Sequence, residues 1–161
     1  MTQTKQITHP SQAGYKAEVS IWIDRSPADV FQFIANYNND TRWRHGVARM
    51  SQSPVGETGV GTITHEEMEF LGRRYVTIAQ ITAFEPDQRL AWASIEATSP
   101  VSGWRVVTAE GAGARFTQAV VADLQGFYRW LSPLMVAMFK NQMSRDMARL
   151  KQILEGENYS L

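Results

Sequence analysis

The stretch Ile23–Gly46, "IDRSPADVFQFIANYNNDTRWRHG", decides the fold, because it leads from a strand into a short helix and then into a polar segment. Ser26 is a good N-cap, and Asp29 follows it at capping-box spacing. Pro27 suits the first helical position, where its missing N–H costs nothing. The next positions form an apolar stripe: Val30, Phe31, Phe33 and Ile34. The sequence therefore predicts a helix with one buried face, followed by a segment that carries aromatic and charged groups.

Alternation of apolar and polar residues predicts strands on both sides of this helix. Residues 15–24, "YKAEVSIWID", place Ala17, Val19, Ile21 and Ile23 on one face. Alternating runs separated by short breaks rich in glycine and proline follow at about 47–53, 59–70, 73–84, 89–97, 102–110 and 114–124. Because a parallel crossover would need roughly a dozen or more connecting residues, these strands are predicted to pair antiparallel.

The last third of the chain has a helical pattern. Apolar residues recur at three- and four-residue steps: Leu131, Met135, Met138, Phe139, Met143, Met147, Leu150 and Leu154. Ser132 and Pro133 mark either the start of this helix or a kink in it. We predict an α+β fold in which a curved antiparallel sheet of about seven strands wraps this helix, with two short helices between the first two strands. Such a sheet cannot close tightly on the whole helix, so an internal cavity is expected.

Length and composition limit the functions to consider. The 161 residues fit one domain, placed at 15–156, between an N-terminal extension of residues 1–14 and a tail of residues 157–161. The 16 basic and 16 acidic side chains cancel, so no overall charge favours nucleic acid. The sequence has no cysteine, and no apolar run as long as a signal peptide or a membrane span. We expect a cytoplasmic protein without membrane insertion.

The order of the elements and several motifs resemble the SRPBCC superfamily, which has the START-like helix-grip fold, and within it polyketide cyclase/dehydrase family 2. The resemblance is carried by "VSIWIDRSPADVFQFIAN" at 19–36, Trp43, Gly46, "GVGT" at 59–62, "FLGRR" at 70–74, "ITAFEPDQRLAWAS" at 81–94 and "RDMARLKQILEG" at 145–156. It covers Tyr15 to Gly156 and implies a cavity, with the segment after the first helix at its mouth. The superfamily includes lipid carriers, hormone receptors and cyclases, so the resemblance leaves the function open.

Trp43 and His45 lie in the segment at the expected mouth. Trp43 resembles the family's usual tryptophan and has two interpretations, a core anchor for the second short helix or a flat platform for an apolar ligand. His45 is a candidate for proton transfer near neutral pH, although no carboxylate or hydroxyl lies at a diagnostic spacing.

The strand "THEEMEF" at 64–70 has the most polar interior in the chain. In a regular strand the two faces are His65, Glu67 and Glu69, and Thr64, Glu66 and Met68. The carboxylates form either an acid/base pair inside the cavity or a solvated face with a cross-strand ion pair. A one-residue bulge would exchange the faces, so the pattern does not say which carboxylate points inward.

Arginines on two later strands are candidates for holding an anionic group. In "LGRRY", Arg73 and Arg74 lie on opposite faces, so one guanidinium is expected to point inward, where it could bind a carboxylate or an enolate oxygen. In "GWRVV", either Trp104 or Arg105 faces the interior. An inward Arg105 would depart from the family pattern, which usually has an apolar or aromatic residue there.

The first functional hypothesis is binding of one small hydrophobic or amphipathic molecule between the sheet and the long helix, where methionines offer an adaptable wall. The candidate contacts are Trp43, Glu67, Trp104, Arg105, Leu131, Met135 and Met138. No metal or cofactor is expected, because the histidines at 9, 45 and 65 lack metal-ligand spacing and no cysteine supports them.

Two alternatives remain. One is a cyclase- or dehydratase-like enzyme that acts on an enolisable substrate, which needs a shaped cavity, an acid/base group and an oxyanion partner. Its candidate catalytic residues are His45, His65, Arg74 and Tyr75, with Arg105 as another enolate partner. The other alternative is a protein-interaction module, such as a homodimer, that uses Trp22 and Trp92 on an outward apolar patch.

Overall fold

The computed structural model describes residues 14–123 and 128–156, and in the last helix the side chains from 133 onward. The predicted extension, apart from Gly14, and the predicted tail lie outside these ranges. The elements are β1 Tyr15–Ile23, α1 Pro27–Ala35, a 3-10 turn Tyr37–Asn39, α2 Asp40–Trp43, β2 Val47–Ser53, β3 Ile63–Phe70, β4 Arg73–Glu85, β5 Arg89–Ala97, β6 Val101–Glu110, β7 Gly113–Ala122 and α3 Tyr128–Glu155.

The described strands form one seven-stranded antiparallel sheet in the order β1-β7-β6-β5-β4-β3-β2. This confirms the predicted α+β helix-grip arrangement with a long C-terminal helix. Only β3 departs clearly from its predicted bounds, since it begins at Ile63 rather than near residue 59. A turn occupies the difference: Thr62 N donates to the carbonyl of Gly59 (3.1 Å), and Gly61 takes a φ of 91°.

Helix α1 begins as the sequence predicts. The hydroxyl of Ser26 accepts a hydrogen bond from Asp29 N (3.2 Å), and Pro27 occupies the first helical turn. The apolar stripe is buried in the core: Val30, Phe31, Phe33 and Ile34. The helix is therefore fixed both by its cap and by its apolar face.

Helix α3 grips the sheet with its C-terminal half. Met143, Met147, Leu150 and Leu154 are buried, whereas side chains near the other end, such as Leu134 and Met138, are 62% and 41% exposed. Pro133, which was predicted either to start this helix or to kink it, lies inside α3 and does not start it. No described helix is long and apolar enough to cross a membrane.

The end of α3 is tied to the end of β1. Glu155 Oε1 accepts from Asp24 N (2.7 Å), and the carbonyl of Leu154 accepts from Arg25 Nε (2.6 Å). These contacts join residues about 130 positions apart through polar groups at the edge of the core. The C-terminal end of α3 is thus held by the residues that follow β1.

Two glycines are required by close approach. A Cβ on Gly46 would lie 2.7 Å from the carbonyl oxygen of Glu69 and 2.6 Å from Gln142 Nε2. A Cβ on Gly103 would lie 2.7 Å from the ring of Trp92, which covers this glycine. Gly46 therefore lets the segment after α2 pass directly beneath α3, between the helix and β3.

The prediction that Trp92 faces outward is wrong. Trp92 pairs with Ile81, which is 1% exposed, and packs against the core on the inner face, the side of the sheet that contacts α3. Trp22 is half-buried at the sheet edge, where its Nε1 donates to the carbonyl of Glu110 (3.0 Å) and Lys151 Nζ lies 4.7 Å from its ring. The two rings therefore do not form a shared outward apolar patch.

Candidate functional site

A cavity of about 250 Å³ lies between the inner face of the sheet and the N-terminal half of α3. Apolar side chains that line it include Ala17, Met68, Phe70, Val120, Met135 and Phe139. Polar groups enter from β4, where Arg73, Tyr75 and Thr77 line the wall. Among the described side chains of α3, those that are fully buried lie in its C-terminal half, and the cavity lies at the other end, as expected from a curved sheet that cannot close on the whole helix.

A second, smaller cavity of about 10 Å³ lies between α2, the sheet and the middle of α3. Met68 and Phe139 line both cavities and so form the partition between them. Polar side chains that line the small cavity include Gln118 and Asp146. Its volume is about that of one water-sized sphere, so it can hold a single oxygen atom.

Beside the small cavity lies a buried ion network. Arg105 donates from Nη1 to Asp40 Oδ1 (3.0 Å) and from Nη2 to Asp40 Oδ2 (2.5 Å), and it also donates to the carbonyl of Ile34 (2.6 Å). Arg44 donates to the same Asp40 (3.0 Å) and to Glu66. Two cations thus face two carboxylates, which compensates the cost of removing each charge from water.

Aromatic rings complete the surroundings of Arg105. Its guanidinium carbon lies 4.5 Å from the ring centre of Tyr37 and 5.5 Å from that of Trp43. Burial opposes the charged form of Arg105, but the charge and hydrogen bonds of Asp40, together with Tyr37, favour it, and the net pKa of Arg105 is raised. Burial raises the pKa of the Tyr37 phenol. Arg105 therefore stays charged and the phenol stays neutral at ordinary pH, so the cluster is built for fixed geometry rather than proton transfer.

The four predicted catalytic residues are not brought together. Tyr75 lines the large cavity on β4. His65 is exposed on the outer face of β3, opposite to the face that carries the buried Thr64. Arg74 is also exposed and pairs with Glu67, a cross-strand ion pair on that outer face. Their catalytic roles stay predictions.

His45 lies beside the C-terminal half of α3, away from the large cavity's lining. Its backbone N donates to Asp146 Oδ1 (2.9 Å), and its exposed ring places Nδ1 3.3 Å from Arg149 Nη1. Burial raises the pKa of Asp146 above its ordinary value, and the hydrogen bond from His45 and the charge of Arg44 offset this only in part. Asp146 is therefore a group whose protonation is perturbed by its surroundings.

Replacing Asp146 with asparagine is expected to remove a pH-dependent loss of stability. The raised pKa means that the folded protein holds this proton more tightly than the unfolded chain, so the wild type loses stability as pH rises from the ordinary value of 3.8 through the raised one. Asparagine cannot ionise, and its Oδ1 can still accept from His45 N. The variant should approach the wild type at about pH 4 and exceed it at about pH 7 in urea unfolding. A stability difference that does not change with pH would contradict this.

The predicted ligand contacts also divide. Trp43 and Met135 line cavities, Trp43 the small one and Met135 the large one. Trp104 lies on the outer face of β6, next to Lys16, whose Nζ is 5.0 Å from the ring. Arg105 and Met138 are not among the described lining residues of either cavity, because Arg105 is bound by Asp40 and Met138 is exposed. The side chain of Leu131 lies outside the described residues.

Sequence reasoning missed Asp40, Tyr37 and Gln118. Gln118 could have been found, because it occupies an inward position of β7 between Phe116 and Val120, where the alternation calls for an apolar residue. Asp40 had a weaker signal, its i,i+4 spacing to Arg44. A buried polar residue at a core position is informative because it needs a partner.

Comparisons with known proteins agree with this fold. The family described as "Polyketide cyclase / dehydrase and lipid transport" matches residues 15–155. None of the curated proteins is significantly similar to the chain in sequence.

Solved structures show the same architecture at low sequence identity. TTHA0849 from Thermus thermophilus has a TM-score of 0.78 at 15% identity, covering 90% of this chain and 100% of that one. A START superfamily protein from Mycobacterium smegmatis has a TM-score of 0.62 at 10% identity, covering 89% and 96%. The di-domain ARO/CYC StfQ from the steffimycin biosynthetic pathway has a TM-score of 0.71 at 10% identity, covering 87% and 50%. The chain shares its fold with these structures, and it belongs to the polyketide cyclase/dehydrase and lipid transport family.

Proposed function

We propose that the protein binds one small apolar or amphipathic molecule in the large cavity. The observation that carries this proposal is a cavity of about 250 Å³ with a mainly apolar lining, in which Met68, Met135 and Phe139 face the apolar wall of β1 and β7. Apolar burial contributes roughly 25 cal/mol per Å², so such a lining favours an apolar guest, and Tyr75 and Thr77 can fix its orientation.

Binding is better supported than cyclase or dehydratase chemistry. Of the four candidate catalytic residues, Tyr75 alone lines the large cavity, while His65 and Arg74 lie on the outer face of the sheet. A general base must come within hydrogen-bond distance of the proton that it removes. The large cavity thus has a hydrogen-bond donor from this set, but its described lining residues include no histidine.

The proposal is tested by titrating the protein with N-phenyl-1-naphthylamine, a neutral apolar fluorophore, and by native mass spectrometry of the freshly purified protein. One fluorophore per chain, displaced by an apolar molecule extracted from the purified protein or by octane, is the expected result. Absence of saturable fluorescence together with a clean apo mass would overturn the proposal.

Replacing Val120 with tryptophan is expected to weaken fluorophore binding at least tenfold. Val120 lines the cavity next to its cross-strand neighbour Ala17. A tryptophan at this position would therefore fill space that the ligand needs. Val121 is the matched control, because it is the next residue of β7 and points to the outer face, and Val121→Trp should bind as the wild type does. Equal affinities of the two variants would show that the fluorophore binds elsewhere.

A further inference from the structure

The small cavity has polar atoms that lack partners within the described part of the chain. Trp43 and Gln118 line it and are 1% and 6% exposed, and neither Trp43 Nε1 nor Gln118 Oε1 has a hydrogen-bond partner among the described residues. Buried polar groups in folded proteins are nearly always paired. A donor and an acceptor beside a space for one oxygen atom therefore indicate a specific occupant.

We propose that the small cavity is the polar end of the ligand site and that it binds a hydroxyl group of the ligand. This rests on the proposed function. The hydroxyl oxygen accepts from Trp43 Nε1, and its proton is donated to Gln118 Oε1, which a carbonyl or an ammonium group could not both do. The volume of about 10 Å³ fits one oxygen atom and excludes a carboxylate or phosphate.

The charges around the small cavity also favour a neutral group. Arg44 is already bound by Asp40 and Glu66, so it is compensated. Asp146 lines the cavity and has only partial compensation, which is consistent with its raised pKa. An anionic group would meet this carboxylate without a free cation among the described lining residues.

The position of the partition connects this polar end with an apolar tail. Met68 and Phe139 separate the two cavities, and the methionine side chain has three rotatable bonds that let it move aside. A molecule whose hydroxyl lies in the small cavity can then extend its apolar part into the large one. The ligand class is thus an apolar molecule with a terminal alcohol or phenol.

The test compares octan-1-ol with octane as competitors of N-phenyl-1-naphthylamine. In the wild type, octan-1-ol should bind more tightly than octane, and in Gln118→Leu the ratio of the two dissociation constants should shift at least tenfold towards octane. Thr117→Val is the matched control, since Thr117 is the preceding residue of β7 and its hydroxyl pairs with Ser20 on the outer face. The control should keep the wild-type ratio.

A second measurement follows binding in the wild-type protein, with a variant of the site used only to assign the signal. The indole ¹⁵N–¹H resonance of Trp43, assigned by its loss in Trp43→Phe, should shift on binding of octan-1-ol and stay in place on binding of octane. If both probes bind with no preference and the resonance does not move, the small cavity holds a water and the hydroxyl proposal alone is overturned. If neither probe displaces the fluorophore, the proposed function fails as well.

Discussion

Replacing Arg105 with methionine should lower the free energy of unfolding by about 3 kcal/mol, a large fraction of the stability of a domain of this size. Arg105 is 2% exposed, and its loss leaves Arg44 alone with the carboxylates of Asp40 and Glu66. Breaking a buried pair from one side costs about 3–5 kcal/mol because a charge stays buried without compensation. We expect the lower end of this range, since Asp40 keeps its contact with Arg44. Urea unfolding monitored by circular dichroism measures the change.

The matched control for this prediction is Arg115→Met. Arg115 lies on the neighbouring strand β7 and pairs with Glu110, but both side chains are exposed, so its loss should cost only a small fraction of the stability lost in Arg105→Met. The double variant Arg105→Met/Asp40→Asn should be less unstable than the sum of its single variants, because it restores a neutral cluster. Equal costs for Arg105→Met and Arg115→Met would contradict the role of the buried network.

Replacing Trp43 with alanine should cost about 3–5 kcal/mol of stability. The ring is 1% exposed, contacts Phe116 edge to face at 6.1 Å between centroids, and lies under the guanidinium of Arg105. Its removal therefore leaves a cavity at the point where α2 is held against the sheet. The measurement is equilibrium denaturation, with near-ultraviolet circular dichroism to show that the folded baseline is native.

Trp104→Ala is the control, because Trp104 lies on the outer face, is only half-buried and pairs loosely with Lys16. It should lose less than half as much stability as Trp43→Ala. If the two losses were equal, or if Trp43→Ala were harmless, then Trp43 would not be the anchor of α2. The other interpretation of Trp43, a flat platform for a ligand, would then be favoured.

Most of the fold could be predicted from local patterns. Period-two alternation identified the strands, and the Ser26–Pro27 start and the apolar stripe identified α1, because these signals depend on neighbours in the sequence. The start of β3 was missed, since Gly59 and Gly61 form a turn that alternation alone does not exclude. The pattern left two choices for Pro133, a start or a kink of the helix, and the structure places it inside α3.

The site was less predictable because it depends on distant pairs. The alternation of "THEEMEF" divides its residues into two faces, but the pairing of β3 with β4 decides that Glu66 points inward and Glu67 outward. Likewise, the spacing of Trp104 and Arg105 says that one faces the interior. Arg105 can be the inward residue because Asp40, 65 positions earlier, provides a carboxylate that compensates its buried charge.

The link between Asp40 and Arg105 also predicts an order of folding. Helix α2 has four residues, too few to be stable alone, since helix nucleation is costly. Arg105, which holds Asp40 of α2 in place, lies on β6, 65 positions later in the chain. The entropy cost of closing this long loop must be met before the contact can stabilise α2. We therefore expect helix α2 to form after β6 has joined the sheet. Because Trp43 and Arg44 line the small cavity, we expect this cavity to be completed late in folding.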